Sequence, residues 1–238
     1  MKNSIQEEFI ATVSHEMRTP LTSIRGFSQT LLNSWDKISD EDKKKFIKII
    51  EDQSQRLIHL VENILSVSKM KVENQILKEV DINNTIKKVI PLFTQQYKNH
   101  NFELELYSSL PHARLDEDKF QQIMTNLIDN AAKYSNPQTT IKISTKINQN
   151  KILISIKDSG VGIKQEDYGK LFQKFSRLEN HLTSKTQGNG LGLYITKELI
   201  EKMGGTIGFE SKEGIGTTFY VSFPFYNAED VVKCSQQS

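Results

Sequence analysis

Four clusters of residues in this sequence have the types and spacing to do chemistry. His15, Glu16 and Thr19 lie in SHEMRTPLTSI (14–24), and on a helix His15 and Thr19 are neighbours at i and i+4. Asn126, Asn130 and Lys133 of NLIDNAAKYS (126–135) stand at i, i+4 and i+7, on one narrow helix face. A carboxamide oxygen can ligate Mg²⁺ without adding negative charge, and a lysine can neutralise phosphate oxygens. In KDSGVGI (157–163) the Asp158 carboxylate can accept the exocyclic N–H of adenine, a donor that guanine lacks there. The glycines beside it let a ring approach the backbone. QGNGLGL (187–193) leads into a helix, and glycine-rich turns at helix N-termini expose backbone N–H groups to which anions bind. Each cluster alone has a plain alternative. His15 and the Asn–Lys row also describe solvated helix faces, and Asp158 also describes a turn.

The elements that must position these groups follow from periodicity. Ile10, Val13, Met17, Pro20, Ile24, Phe27 and Leu31 alternate three and four apart, and Phe46, Ile50, Gln53, Leu57, Leu60, Ile64 and Val67 repeat the alternation. A period of 3.5 is the mark of helices packed as a bundle. The stretch 33–42 breaks it, and Ser39 with Asp42 resembles a capping box. Two antiparallel helices result, with His15 on the face away from the seam. One hairpin cannot cover both sides of its seam, so two copies are expected to form a four-helix bundle. Pro20 frees the carbonyl of Glu16 and predicts a bend there. Stretch 71–80 loses the heptad and reads as a linker. Beyond it, helices are expected over 83–97, 118–134 and 191–203, and strands over 102–107, 139–147, 151–157, 206–210 and 217–225. That order fits an α+β two-layer sandwich with helices over a mixed, largely antiparallel sheet. On the middle helix, Phe120, Ile123, Leu127 and Ala131 form the stripe to be buried.

Composition excludes several classes. The chain has 238 residues, 37% hydrophobic and 25% charged, with a net charge of +2 that makes no case for nucleic acid. Cys234 is the only cysteine, so no disulfide framework or cysteine metal site exists. No apolar run is long enough for a membrane span and no signal peptide opens the chain, so a cytoplasmic protein is expected. Eleven of the twelve glycines lie at or beyond position 160, so unusual backbone angles concentrate in the last third.

SHEMRTPLTSI resembles the H-box of sensor histidine kinases at almost every position. NLIDNAAKYS resembles their N-box, KDSGVGI the G1 box, LFQKFSRL (171–178) the F-box and QGNGLGL the G2 box, in family order from near Phe9 to near Phe225. The resemblance implies a HisKA-type dimerisation and phosphotransfer domain (1–70), the linker (71–80), a catalytic domain of the Bergerat ATP-binding fold (81–226) and a polar tail (227–238). It implies ATP and Mg²⁺ as cofactors, a homodimer, and a response regulator receiver domain as partner. By this resemblance His15 is the phosphoacceptor, Glu16 the general base and Thr19 the residue that orients water for dephosphorylating the regulator. Asn130 is the Mg²⁺ ligand, with Asn126, Lys133 and Tyr134 near the nucleotide. Asp158 reads adenine, and Gly160 and Gly162 shape its pocket. Phe172 anchors the F-box, Arg177 and Lys185 reach toward phosphate, and Gly188, Gly190, Leu191 and Gly192 cradle it, with 179–187 as a lid. Such a chain is expected to be a catalytic core excised from a longer sensor, a parent that can be membrane-anchored. A plain ATPase of the same superfamily would lack the H-box, and a degenerate scaffold would lack Asn130, Asp158 or the glycines.

Overall fold

A computed structural model of the chain describes residues 2–69, 76–176 and 190–225, apart from the side chains of 2–9 and 69. The chain forms two units, one helical and one α/β.

In the helical unit, α1 (Lys2–Ser34) and α2 (Asp40–Lys69) are joined by a 3-10 turn at Trp35–Lys37. The contacts fix the direction. Phe27 lies 5.1 Å from Phe46 by ring centroid, and Glu16 pairs with Arg56 further along. As one number rises the other falls, so the helices are antiparallel. Ser39 starts α2 as the capping box predicts: its Oγ accepts from the Asp42 N–H (3.1 Å) and donates to the Asp42 carboxylate (2.7 Å). Pro20, Leu31, Leu60 and Val67 are buried in the seam. α1 continues as one helix through Pro20. Ile10, read as a seam residue, is 56% exposed. Leu21, Leu32, Ile47, Ile58, Val61 and Leu65 are also exposed, so the hairpin carries apolar surface that its own seam does not cover.

The α/β unit begins with β1 (Lys78–Val80), at the end of the stretch read as a linker. It pairs antiparallel with β3 (Ala113–Leu115). A five-stranded sheet follows in the order β2 (Asn101–Leu106), β4 (Thr140–Asn148), β5 (Lys151–Lys157), β7 (Gly216–Pro224), β6 (Thr206–Lys212). The β2–β4 pair is parallel and the others are antiparallel. Register sets one apolar face. Leu104, Ile143, Ile156, Phe219 and Phe209 form a row across all five strands, with Ile154 and Val221 in the next row.

Against that face pack α3 (Ile82–Gln96), α4 (Glu117–Tyr134) and α5 (Gly192–Lys202). Phe120, Ile123, Leu127 and Ala131 are all buried, as the stripe on α4 predicts, and Phe120 meets Phe223 edge-on at 5.8 Å. Burying side chains of this size is worth about 1.5–3 kcal/mol each. The opposite sheet face is polar, with the Ser144 and Ser155 hydroxyls bonded at 2.7 Å and Lys142 paired with Glu105. Asp81 caps α3 and Asp116 caps α4, each accepting a backbone N–H three residues on. The Asp116 cap sets where α4 starts, and therefore which of its residues reach the loop after β5.

Candidate functional site

His15 is exposed on α1. Beside it, Glu16 is half-buried and its Oε2 lies 3.3 Å from an Arg56 nitrogen on α2. Glu16 directly precedes the seam residue Met17 and so flanks the seam, where an ion pair across the helices can form. Thr19 is exposed and its hydroxyl lies 3.4 Å from the His15 carbonyl oxygen. That contact is long for a hydrogen bond between a hydroxyl and a carbonyl. Arg56 was not singled out by sequence, because nothing local distinguishes it from the other cations of α2.

The second cluster forms where the end of α4 meets the loop 158–163. Ser135 and Gly160 make an isolated antiparallel bridge, and the Val161 N–H donates to the Tyr134 carbonyl at 3.1 Å. A Cβ on Gly160 would sit 2.0 Å from that same carbonyl oxygen. The N-box and G1 segments are thus joined by backbone, with Tyr134 half-buried at the junction.

Asp158 is buried, and its Oδ1 accepts the Gly160 N–H (2.9 Å) and the Thr217 N–H (3.0 Å). Its other oxygen, Oδ2, accepts nothing from the described residues. Burial pushes the carboxyl up to about 6, against the opposing pull of the Thr217 and Gly160 N–H groups. One oxygen held by the backbone and one left over is what reading a donor on a base requires. Gly162 has φ +65°, and a Cβ there would lie 2.1 Å from the Lys212 carbonyl oxygen. The tip of the β6–β7 hairpin therefore closes onto this loop. Thr217, read from sequence only as the start of a strand, supplies its hydrogen bond to the Asp158 carboxylate.

On α4 the three polar residues part company. The Asn126 Nδ2 donates to the Thr196 hydroxyl at 2.7 Å, and the Asn126 Oδ1 fills the place where a Gly192 Cβ would stand, 2.6 Å away. Asn126 thus ties α4 to the start of α5. Lys133 reaches Asp129 at 2.5 Å, and the other Asp129 oxygen accepts from the Tyr97 hydroxyl at 2.6 Å. Burial and the Asp129 carboxylate push the Tyr97 phenol well above its ordinary range. Asn130 lies between these two engaged side chains, half-buried, with no hydrogen bond among the described residues.

Gly190 has φ +68°, with Phe175 backbone 2.6 Å from its missing Cβ, and Leu191 is fully buried ahead of α5. The Phe172 ring packs on Phe209 at 6.0 Å, with the Lys197 ammonium 5.7 Å from its centre. Arg177, Lys185 and Gly188, and the segment 179–187 read as a lid, lie outside the described residues.

Among the described residues, no group of three His, Cys, Asp or Glu side chains could hold a metal ion. A lone free carboxamide at Asn130 suits Mg²⁺ that arrives already bound to phosphates and keeps most of its waters.

Comparison with known families bears on both units. Residues 5–73 match the His Kinase A (phospho-acceptor) domain, and residues 115–227 match the histidine kinase-, DNA gyrase B- and HSP90-like ATPase family. The chain belongs to the sensor histidine kinases. The sensor protein kinase WalK of Staphylococcus epidermidis is 37% identical to this histidine kinase chain over 233 residues, covering 94% of the chain and 37% of WalK. The chain therefore spans little more than a third of that relative's length. Among solved structures, histidine kinase ThkA in complex with response regulator protein TrrA has a TM-score of 0.76 at 30% identity, covering 94% of this chain and 63% of that one. Full-length ShkA in complex with AMPPNP has a TM-score of 0.67 at 27% identity, covering 93% and 46%. The helical hairpin followed by the α/β domain is the fold of these kinases. No described helix is long and apolar enough to cross a membrane.

Proposed function

We propose that this chain transfers the γ-phosphoryl group of ATP to His15, and from there to an aspartate of a response regulator. A histidine ring nitrogen attacks the γ-phosphorus, the bond from that phosphorus to the bridging oxygen breaks, and ADP leaves. The other ring nitrogen gives up its proton to Glu16. Phosphoryl transfer of this kind depends chiefly on positioning and on neutralising charge at the phosphates.

The observation that carries this reading is a pairing within one chain: an exposed histidine beside a carboxylate, and a buried Asp158 with one oxygen unused. Asp158 Oδ2 accepts the amino group of adenine, while Gly160 and Gly162 shape the pocket by letting the loop pack against the Tyr134 and Lys212 carbonyls. Asn130 would hold Mg²⁺, which supplies Lewis-acid neutralisation of the phosphates when bound with ATP. Lys133 shares its charge with Asp129 until phosphate competes for it. Gly190, Leu191 and Gly192 bring the N-terminus of α5 toward the phosphates. The complex of ShkA with AMPPNP supports the nucleotide, and that of ThkA with TrrA supports the regulator. The uncovered apolar side chains of the hairpin support a second copy completing a four-helix bundle. Thr19, with a hydroxyl that can turn to water, would orient the nucleophile when the regulator is dephosphorylated.

Glu16→Gln keeps the shape of the side chain but accepts no proton. With Mg²⁺ and γ-labelled ATP, its initial rate of labelling should fall roughly 10²–10⁴-fold, the usual worth of a positioned general base. ATP affinity should stay unchanged. Labelling at the wild-type rate would remove Glu16 from the reaction.

A further inference from the structure

The loop after β5 is held along its length by the turn between β6 and β7. Asp158 and Thr217 are joined twice, Asp158 N–H donating to the Thr217 carbonyl at 2.9 Å and Thr217 N–H to the Asp158 carboxylate Oδ1 at 3.0 Å. Further on, Gly214 N–H donates to Val161 O at 2.8 Å. The last contact comes from a side chain of the hairpin. Ile163 N–H donates to a side chain, the Ser211 hydroxyl, at 2.8 Å. That same oxygen lies 3.1 Å from the Gly216 carbonyl oxygen and 2.9 Å from the Thr217 hydroxyl. The Tyr168 hydroxyl donates to the Ser211 carbonyl and pins the backbone there.

Counting protons settles the directions. A serine hydroxyl has one proton and two lone pairs. The Gly216 carbonyl can only accept, and the Ile163 N–H can only donate. All three contacts are hydrogen bonds only when Ser211 gives its proton to Gly216 and accepts from Ile163 and from Thr217. The single proton of the buried Thr217 hydroxyl is then committed to Ser211. Toward anything else Thr217 is an acceptor and not a donor.

Resting on the nucleotide reading, we infer that Ser211 is a positioning residue that sets base selectivity. It holds the Asp158 loop in register and orients the Thr217 hydroxyl so that the base meets two acceptors, Asp158 Oδ2 and Thr217 Oγ1. A 6-amino purine offers donors to that pair. A 6-oxo purine brings its carbonyl against these acceptors and keeps only its N1–H to donate, a mismatch that sites built on hydrogen bonds reject. Without the Ser211 oxygen, the Thr217 proton is free to turn toward the base, where it welcomes a 6-oxo group.

The test compares Ser211→Thr with Ser211→Val, side chains of one shape that differ in the hydroxyl, by calorimetric titration with Mg²⁺·ATP and Mg²⁺·ITP. Ser211→Thr should keep the wild-type preference for ATP. Ser211→Val should narrow the ATP-to-ITP affinity ratio by about tenfold or more, chiefly by losing ATP. Ser211→Ala, which adds no bulk, should narrow it likewise. An unchanged ratio in Ser211→Val and Ser211→Ala would overturn the inference, as would equal weakening of both nucleotides, which marks a structural role alone. If the wild-type chain binds neither nucleotide, the nucleotide reading fails and the inference fails with it. If the wild type selects ATP and the variants do so equally, only the role of Ser211 fails.

Discussion

Asp158→Asn will weaken ATP binding by about 100-fold or more, while leaving the loop around it in place. The asparagine carbonyl can still accept the Gly160 and Thr217 N–H groups that Asp158 Oδ1 accepts now. The change falls on the other atom. Where Oδ2 waits for a donor, the variant presents an N–H₂ group, and two donors then face each other in a buried site. Leaving a buried donor unpaired costs about 1–3 kcal/mol, and more where a charge-assisted bond is also lost, and each 1.4 kcal/mol is about tenfold in affinity. GTP, with a carbonyl at that place, should lose less than ATP, so the preference should shrink as well as the affinity. Wild-type ATP affinity in the variant would remove Asp158 from base recognition.

The same residue gives a pH signature. Burial raises the Asp158 carboxyl from the ordinary 3.8 to about 6. A folded-state pKa above the unfolded one means that the native state holds a proton the unfolded chain has released. Its contribution therefore falls as pH rises from about 4 to about 6, by about 3 kcal/mol over the two units. Asp158→Asn lacks this decline, so the stability gap between variant and wild type should widen in the variant's favour across that window and stay flat above it. Thermal melts of both proteins from pH 4 to 7 measure it. ATP has the opposite preference, because an adenine amino group bonds the ionised form. Affinity for ATP should therefore weaken below pH 6 in the wild type only.

Gly160→Ala will abolish nucleotide binding or cost about 3 kcal/mol or more of stability. The added Cβ meets the Tyr134 carbonyl oxygen at 2.0 Å and its carbon at 2.7 Å. Both are backbone atoms, and that carbonyl is the acceptor for Val161 N–H. No rotamer relieves the clash, so the bridge between Ser135 and Gly160 must part, and over-packing of this kind costs about 1–3 kcal/mol before the lost bonds are counted. Gly26→Ala is the contrast. Nothing lies within 4 Å of a Cβ at Gly26 in the middle of α1, so alanine there should stabilise by about 1 kcal/mol. Denaturant melts and ATP titrations of the two variants separate the cases. A Gly160→Ala protein with wild-type stability and affinity would mean the two boxes are not joined as described.

These contacts show where sequence was legible and where it was not. The buried stripe of α4 could be read because Phe120, Ile123, Leu127 and Ala131 repeat with the helix. The alternation in β4 and β5 could be read because one face is apolar. The short pair β1 and β3 could not, since three residues hold no period and only Val80 of Lys78–Val80 is buried. Ile10 was read inward from its heptad, yet a seam position near the end of an uncovered hairpin stays exposed until something covers it.

At the site, Asp158 and its glycines stood out because residue type alone suggests their chemistry. The groups that steer them did not. Arg56 lies 40 residues from Glu16, Tyr97 lies 32 from Asp129, and Ser211 lies 48 from Ile163. Spacing within a motif carries no sign of a partner that only folding brings near. Asn126 shows the converse: motif and helix face group it with Asn130, but its neighbour across the fold is Thr196.

The most direct test of the whole account is where the phosphoryl group goes. The purified chain is incubated with Mg²⁺ and γ-labelled ATP beside a His15→Ala variant, and bound label is challenged with alkali and with acid. The account predicts label on the wild type that survives alkali, is lost in acid, and is absent from the variant although the variant still binds ATP. Label of equal amount on His15→Ala, or label stable to acid, would contradict it.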